Sequence, residues 1–403
     1  MPRHLRTLVA VVAMAIAICP AMDLAVSRAG ASTGTAVNAD RGSPERAAAK
    51  KRAAAKRAAM RRRAAARKRR SHRRSPVPKP PATPNVATPT SPSPVIEPGS
   101  QPVPPSSPSS ASNTRLFAPT SVWNAPLAAD VPLDPRSDGL VAALAAEVRR
   151  EVDGNFGPWI NFDKYSVPVY TVGADVPTVR VTLDAWNPAL QRDFDAVPIP
   201  EGAREAAGDD RHLTVYQPST DTLWEFWLAR RAADGWHARW GGKMTDVSSN
   251  PGYFPNPYGA SATSLPLLGG LMTIRELEAG QIDHALALAV PNTAAGSFTW
   301  PAQRGDGRTA GPDGIPEGTH LRIDPSLDLA RLNLSPLALA MARAAQRYGI
   351  IIRDTAGCVV FYGEDPIATP GDPYGRIFGG DYPNRLLGGF PWGHLQVVAP
   401  PGT

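Results

Sequence analysis

The sequence predicts a mainly β domain, of β-sandwich or jelly-roll type with a few peripheral helices, behind a long N-terminal extension. Three observations lead there. Short apolar or alternating runs recur from residue 167 onward with Gly, Pro, Asp and Asn between them, helical periodicity is confined to three stretches, and composition changes abruptly near residue 113. Runs over 167–172, 179–183, 212–216, 223–228, 236–240, 285–290, 297–300, 320–323, 350–353, 358–362 and 395–398 have the length and punctuation of strands. Helices are expected at 139–152, at 274–279, and at 336–348, the last closed by Gly349 before Ile350-Ile351-Ile352. A regular β/α alternation is missing, which argues against a doubly wound sheet.

Charge divides the chain in the same place. Residues 1–112 carry 20 Lys/Arg against 4 Asp/Glu, and residues 113–403 carry 23 against 32, so the net +7 belongs to the extension and the domain is acidic. A basic total therefore says nothing in favour of nucleic-acid binding by the domain.

Within the extension, Arg3 and Arg6 precede an uncharged stretch over 7–22, followed by Ala29-Gly30-Ala31. This is the pattern of a secretory signal peptide over 1–31, and the apolar run is shorter than the roughly 20 residues a retained membrane span needs. Residues 32–74 form a basic arm, with 15 Lys/Arg between 46 and 74 set among alanine triplets. Alanine favours helix while neighbouring like charges oppose it, so the arm reads as disordered or helical, and as a ligand for anionic wall polymers or lipid headgroups. Residues 75–112 hold 13 prolines among Ser, Thr and Val, a stalk-like linker reaching on the order of 100 Å. Export or wall association follows, with no membrane span in the mature chain. Loss of Cys19 with the leader would leave Cys358, in an apolar run, as an inert buried thiol.

The domain, 113–403, lacks a phosphate-binding glycine loop, a CxxC pair, HExxH and GxSxG, so no cofactor and no metal is expected. Its chemistry-bearing residues lie elsewhere. Glu225 is a lone carboxylate in Leu223-Trp224-Glu225-Phe226-Trp227. The following Asp234-Gly235 turn and Trp236-His237-Ala238-Arg239-Trp240 suggest a hairpin with Glu225, His237 and Arg239 on one face. Such a face serves as a cross-strand ion pair or as an acid/base site among sugar-stacking indoles. Asp210-Arg211-His212 and Asp283-His284 each open an apolar run. Arg304 sits in a glycine-containing loop after Trp300.

The strings Thr263-Ser264-Leu265-Pro266-Leu267-Leu268-Gly269-Gly270-Leu271, Gly280-Gln281-Ile282-Asp283-His284-Ala285-Leu286, Trp300-Pro301-Ala302 and Tyr348-Gly349-Ile350 resemble those of a group of secreted bacterial proteins. The resemblance spans roughly 121–398 and implies export and a carbohydrate-related role, without an assigned activity.

The resulting expectation is a wall-associated carbohydrate-active enzyme, a polysaccharide hydrolase with Glu225 as acid/base, His212 and His284 as proton-transfer or positioning groups and Asp210 as a candidate second carboxylate, alongside Asp283 and Asp354. Arg211, His237, Arg239 and Arg304 would bind substrate, and Trp224, Trp227 and Trp240 would stack on it. A non-catalytic wall- or glycan-binding module and a polysaccharide lyase are the alternatives.

Overall fold

A computed structural model describes residues 115–402, so the leader, the basic arm and the linker lie outside the described residues. The chain runs α1 (Ser137–Gly154), β1 (Trp159–Asn161), β2 (Val169–Thr171), β3 (Val181–Leu183), α2 (Pro188–Asp193), β4 (Leu213–Gln217), β5 (Thr222–Trp227), β6 (Arg230–Ala232), β7 (Gly235–Ala238) and β8 (Trp240–Met244). It continues α3 (Ile274–Ala279), β9 (Leu286–Val290), β10 (Thr293–Phe298), β11 (Ile315–Glu317), β12 (His320–Ile323), α4 (Pro336–Arg347), β13 (Ile350–Thr355), β14 (Val360–Tyr362), α5 (Pro373–Phe378), α6 (Pro383–Gly388) and β15 (Leu395–Val397). The protein is mainly sheet with few helices. Among the described residues no helix is long and apolar enough to cross a membrane.

The largest sheet has six strands in the order β1-β14-β9-β13-β12-β15, and it is mixed: β9 runs parallel to β13 and β1 to β14, the other pairs being antiparallel. A second sheet, β2-β4-β5-β8, and a third, β3-β7-β6, are also mixed, and β10 pairs with β11. None closes into a barrel.

Side-chain alternation explains the layering. In β9, Leu286, Leu288 and Val290 pack under the helices, while Ala285, just before the strand, Ala287 and Ala289 turn to the opposite core. That second core also contains Leu223 and Met244 of the four-stranded sheet, so the two larger sheets share an apolar layer. A strand buried on both faces reads as continuously apolar, as this one does. The far face of the four-stranded sheet, with Leu213, Val215, Trp224 and Phe226, packs on Trp236 of β7 and on Leu190 of α2.

Local signals account for the helix ends. Thr273 and Glu276 form a reciprocal capping box at α3, which stops at left-handed Gly280, and Ser335 caps α4 by accepting the Ala338 amide. The helical and strand runs expected from sequence all carry elements, with ends shifted by a few residues, apart from the exact matches at Ile274–Ala279 and His320–Ile323.

One expectation fails, the hairpin between 223–227 and 236–240. Leu228 takes a left-handed φ of 52°, the chain leaves the sheet, and the Asp234-Gly235 turn joins β6 to β7 in the three-stranded sheet. β5 pairs instead with β4 and β8, placing Glu225 opposite Thr214 and Gly242. Cys358 is buried, as its apolar run predicts.

Candidate functional site

Ionisable side chains concentrate where the layer between the two larger sheets reaches the C-terminal end of β13. A β-bulge there aligns Ile352 with Leu288 and Asp354 with Ala289, so Arg353 is the extra residue of β13. Bulges re-aim side chains, and this one turns both Arg353 and Asp354 toward the four-stranded sheet. The Arg353 guanidinium lies 3.7 Å from the centre of the Tyr362 ring, and its Nη1 donates to the Leu267 carbonyl at 2.8 Å.

Asp354 is half-buried among acids. One oxygen each of Asp306, Glu317 and Asp354 lies within 4.8 Å of the others, a spacing that would hold a hard divalent cation or shared protons. Glu317 is fully buried, and its Oε2 accepts the Asp306 amide at 2.7 Å. Thr355 Oγ1 donates to Asp306 Oδ1 at 3.2 Å. Burial, then the negative charges of Asp306, Glu317 and Asp210, hold the Asp354 carboxyl well above the usual range, with Arg353 opposing. Burial and Asp306 likewise raise Glu317. Asp210 is pushed up to about 6 by burial, against the pull of the Trp227 indole, whose Nε1 donates to its Oδ1 at 3.4 Å.

The expected site residues separate into two groups. His212, Glu225, Asp210, Trp227 and Arg304 all lie in this region, linked through the fields of Arg353 and Asp354. His212 is pushed down to about 3 by burial and then by Arg353, so it is neutral, and its Nδ1 has no protein partner. Glu225 is buried and its oxygens are occupied: Oε1 accepts the Ala260 amide at 2.6 Å and Oε2 the Leu267 amide at 2.8 Å. Burial raises it to about 7 in spite of these bonds. That geometry suits a clamp on the loop 259–269 better than an acid/base catalyst. Arg304 grips the same loop through the carbonyls of Gly259 and Ser261.

The other expected residues lie apart. His284 donates from Nδ1 to the Ala285 carbonyl at 2.8 Å and from Nε2 to Glu276, and because both partners are acceptors the ring is an imidazolium. Burial opposes that charge, but the Glu276 carboxylate outweighs it and the pKa is raised. Neither nitrogen is left to move a proton. His237 bonds Asp184 and Asp234, both at 3.1 Å, in the three-stranded sheet, and Arg239 follows it out of that sheet, so neither shares a face with Glu225. Trp224 is buried with its Nε1 on the Asp193 carbonyl, and Trp240 is half-buried with its Nε1 on the Pro257 carbonyl. Arg211 is half-buried with a left-handed φ of 44°, in the bend that delivers Asp210.

Sequence reasoning missed Asp306, Glu317, Arg353 and Tyr362, and weighed Asp354 only as one of three second carboxylates. A signal was present: Arg353-Asp354 interrupts a strand that starts with three isoleucines, and Glu317 stands between Ile315-Pro316 and Gly318. Compared with protein-family models, curated proteins and solved structures, the chain finds no match.

Proposed function

We propose that the protein is an exported, cell-wall-associated carbohydrate-active enzyme, a polysaccharide hydrolase in which Asp354 donates the proton and Asp306 is its carboxylate counterpart. The two larger sheets serve it as a sandwich-like scaffold. The observation that carries this reading is the cluster at the end of β13, where oxygens of Asp354, Glu317 and the half-exposed Asp306 lie within 4.8 Å of one another and burial and the neighbouring acids raise the Asp354 carboxyl. Glycoside hydrolysis needs one carboxylic acid and one carboxylate across the scissile bond. Their close spacing favours a retaining course, in which the second carboxylate acts as nucleophile at about 5–5.5 Å. The Asp354 hydroxyl protonates the leaving oxygen while an Asp306 oxygen bonds the anomeric carbon. Asp354 then takes a proton from water, which displaces the Asp306 ester. Trp227 presents an indole beside Asp210 for contact with a sugar ring.

A lyase reading draws on a different pair, neutral His212 with its unpartnered Nδ1 near Arg353. A binding module draws on Trp186, which is 90% exposed.

The deciding experiment incubates the secreted full chain with neutral and uronate polysaccharides, reading both reducing ends and double-bond absorbance. Reducing ends without double bonds, lost at least 100-fold in both Asp354→Asn and Asp306→Asn with the fold intact, are expected. Double bonds transfer the assignment to His212 and Arg353. Activity that survives both substitutions removes the acid pair from the chemistry.

A further inference from the structure

Trp300 belongs to a motif that the acid site does not use, and its position points to a separate binding place. Its side chain is 42% exposed on the loop that runs from β10 toward Arg304 and Asp306. It borders a cavity of about 320 Å³ whose other walls are 120–127, 131–136, Thr319-His320 and the C-terminal stretch 397–402. That volume lies at the lower end of small-ligand sites.

The walls are tied together by backbone hydrogen bonds, so the cavity is formed before any ligand arrives. Val398 donates to the His320 carbonyl at 2.8 Å and Ala399 to that of Pro132 at 2.9 Å. The lining chemistry is selective. Val122, Leu127, Val131 and Val398 make most of it apolar, and hydroxyls come from Thr120 and Thr299. Among the described residues its one oppositely charged pair, Asp134 and Arg136, is already closed at 3.0 Å with the Arg136 Nε also on Asp134, so their charges offset one another. An uncharged ligand with an apolar ring face and a hydroxylated edge matches an indole platform rimmed by hydroxyls.

Both segments that line the cavity near Trp300 lead into the acid cluster. Thr299 donates its amide to the Glu317 carbonyl at 2.8 Å, and Thr319 lies two residues beyond Glu317. We propose that Trp300 and this cavity form a subsite for a neutral pyranose unit of the glycan, set apart from the acid pair and reached by the same chain. This rests on the hydrolase reading for its neighbour but not for its own chemistry.

The test measures binding by calorimetry to cellohexaose, xylohexaose, chitohexaose and hexagalacturonate, using the full chain carrying Asp354→Asn so that nothing is cleaved. Trp300→Ala and Trp300→Phe are added to that background. At least one neutral hexamer is expected to bind, with hexagalacturonate at least 10-fold weaker. Trp300→Ala should weaken the neutral ligand at least 10-fold, and Trp300→Phe, which keeps a ring, by less than 3-fold. Binding without any cleavage by the wild-type chain defeats the hydrolase reading and keeps the subsite. No neutral hexamer bound, tighter binding of hexagalacturonate, or equal affinity in Trp300→Ala overturns the subsite. A Trp300→Phe variant that folds normally yet loses binding as fully as Trp300→Ala also overturns it.

Discussion

Glu225 holds Leu267 by a hydrogen bond from the Leu267 amide to its Oε2 at 2.8 Å, reaching from the centre of the four-stranded sheet into the loop 259–269. The other oxygen binds the Ala260 amide, so one carboxylate pins both ends of that loop. Arg353 holds the same turn from the facing sheet through the carbonyls of Pro266, Leu267 and Gly269. The loop is thus fastened to two sheets by two buried ionisable side chains, one acidic and one basic.

Glu225→Gln is therefore expected to act on stability. A glutamine amide offers one acceptor where two are needed and sets its NH₂ against a buried backbone N–H, at a cost of about 1–3 kcal/mol. Urea unfolding at pH 7 measures this. A variant as stable as the parent but inactive would return Glu225 to the chemistry.

Stability is expected to be highest on the acid side of neutrality and to fall as pH rises through 6 to about 7. Asp210 and Glu225 have folded values near 6 and 7, above their unfolded ones, and burial raises Asp354 in the same direction. The native state therefore holds more protons than the unfolded state through that window, and stability drops as pH rises. The His284 imidazolium adds a drop in the same direction, because its folded pKa is raised. His212 and His320, pushed down to about 3 and 4 by burial, act oppositely, but their contribution is complete by about pH 6.5. Thermal unfolding at pH 5.5, 6.5, 7.5 and 8.5 measures the balance. A midpoint higher at pH 8.5 than at pH 5.5 contradicts it.

Deleting residues 46–74 is expected to abolish binding of the protein to isolated anionic wall polymers while leaving the thermal midpoint of the domain unchanged. Attachment of the full chain should weaken steeply with salt, as the 15 Lys/Arg release counterions. A salt-insensitive association, or one that survives the deletion, would place the attachment in the acidic domain.

The elements were readable where a side-chain pattern is local. The apolar run ahead of Val290 and the Pro336 helix with its Gly349 stop announce themselves within a dozen residues, because burial of one face and the ending of a helix are decided by near neighbours. β1, β6 and β11 escaped notice, each only three residues long and too short to show a period. The Glu225 hairpin was misread for a related reason. An Asp-Gly turn specifies that two strands meet, and only the left-handed bend at Leu228 decides which two.

The sequence by itself determined the division into basic extension and acidic domain, the predominance of short strands, the helix caps and the absence of several familiar motifs. These are properties of composition and of neighbours along the chain. Only the tertiary structure decided that Asp306, Glu317 and Asp354, up to 48 positions apart, meet within 4.8 Å, that Glu225 is a loop clamp, and that His284 is locked as an ion with Glu276. A carboxyl's role depends on which charges and amides surround it and how much water is excluded. Those neighbours come from strand order and from a one-residue bulge at Arg353, and neither is written in the spacing of residues along the chain.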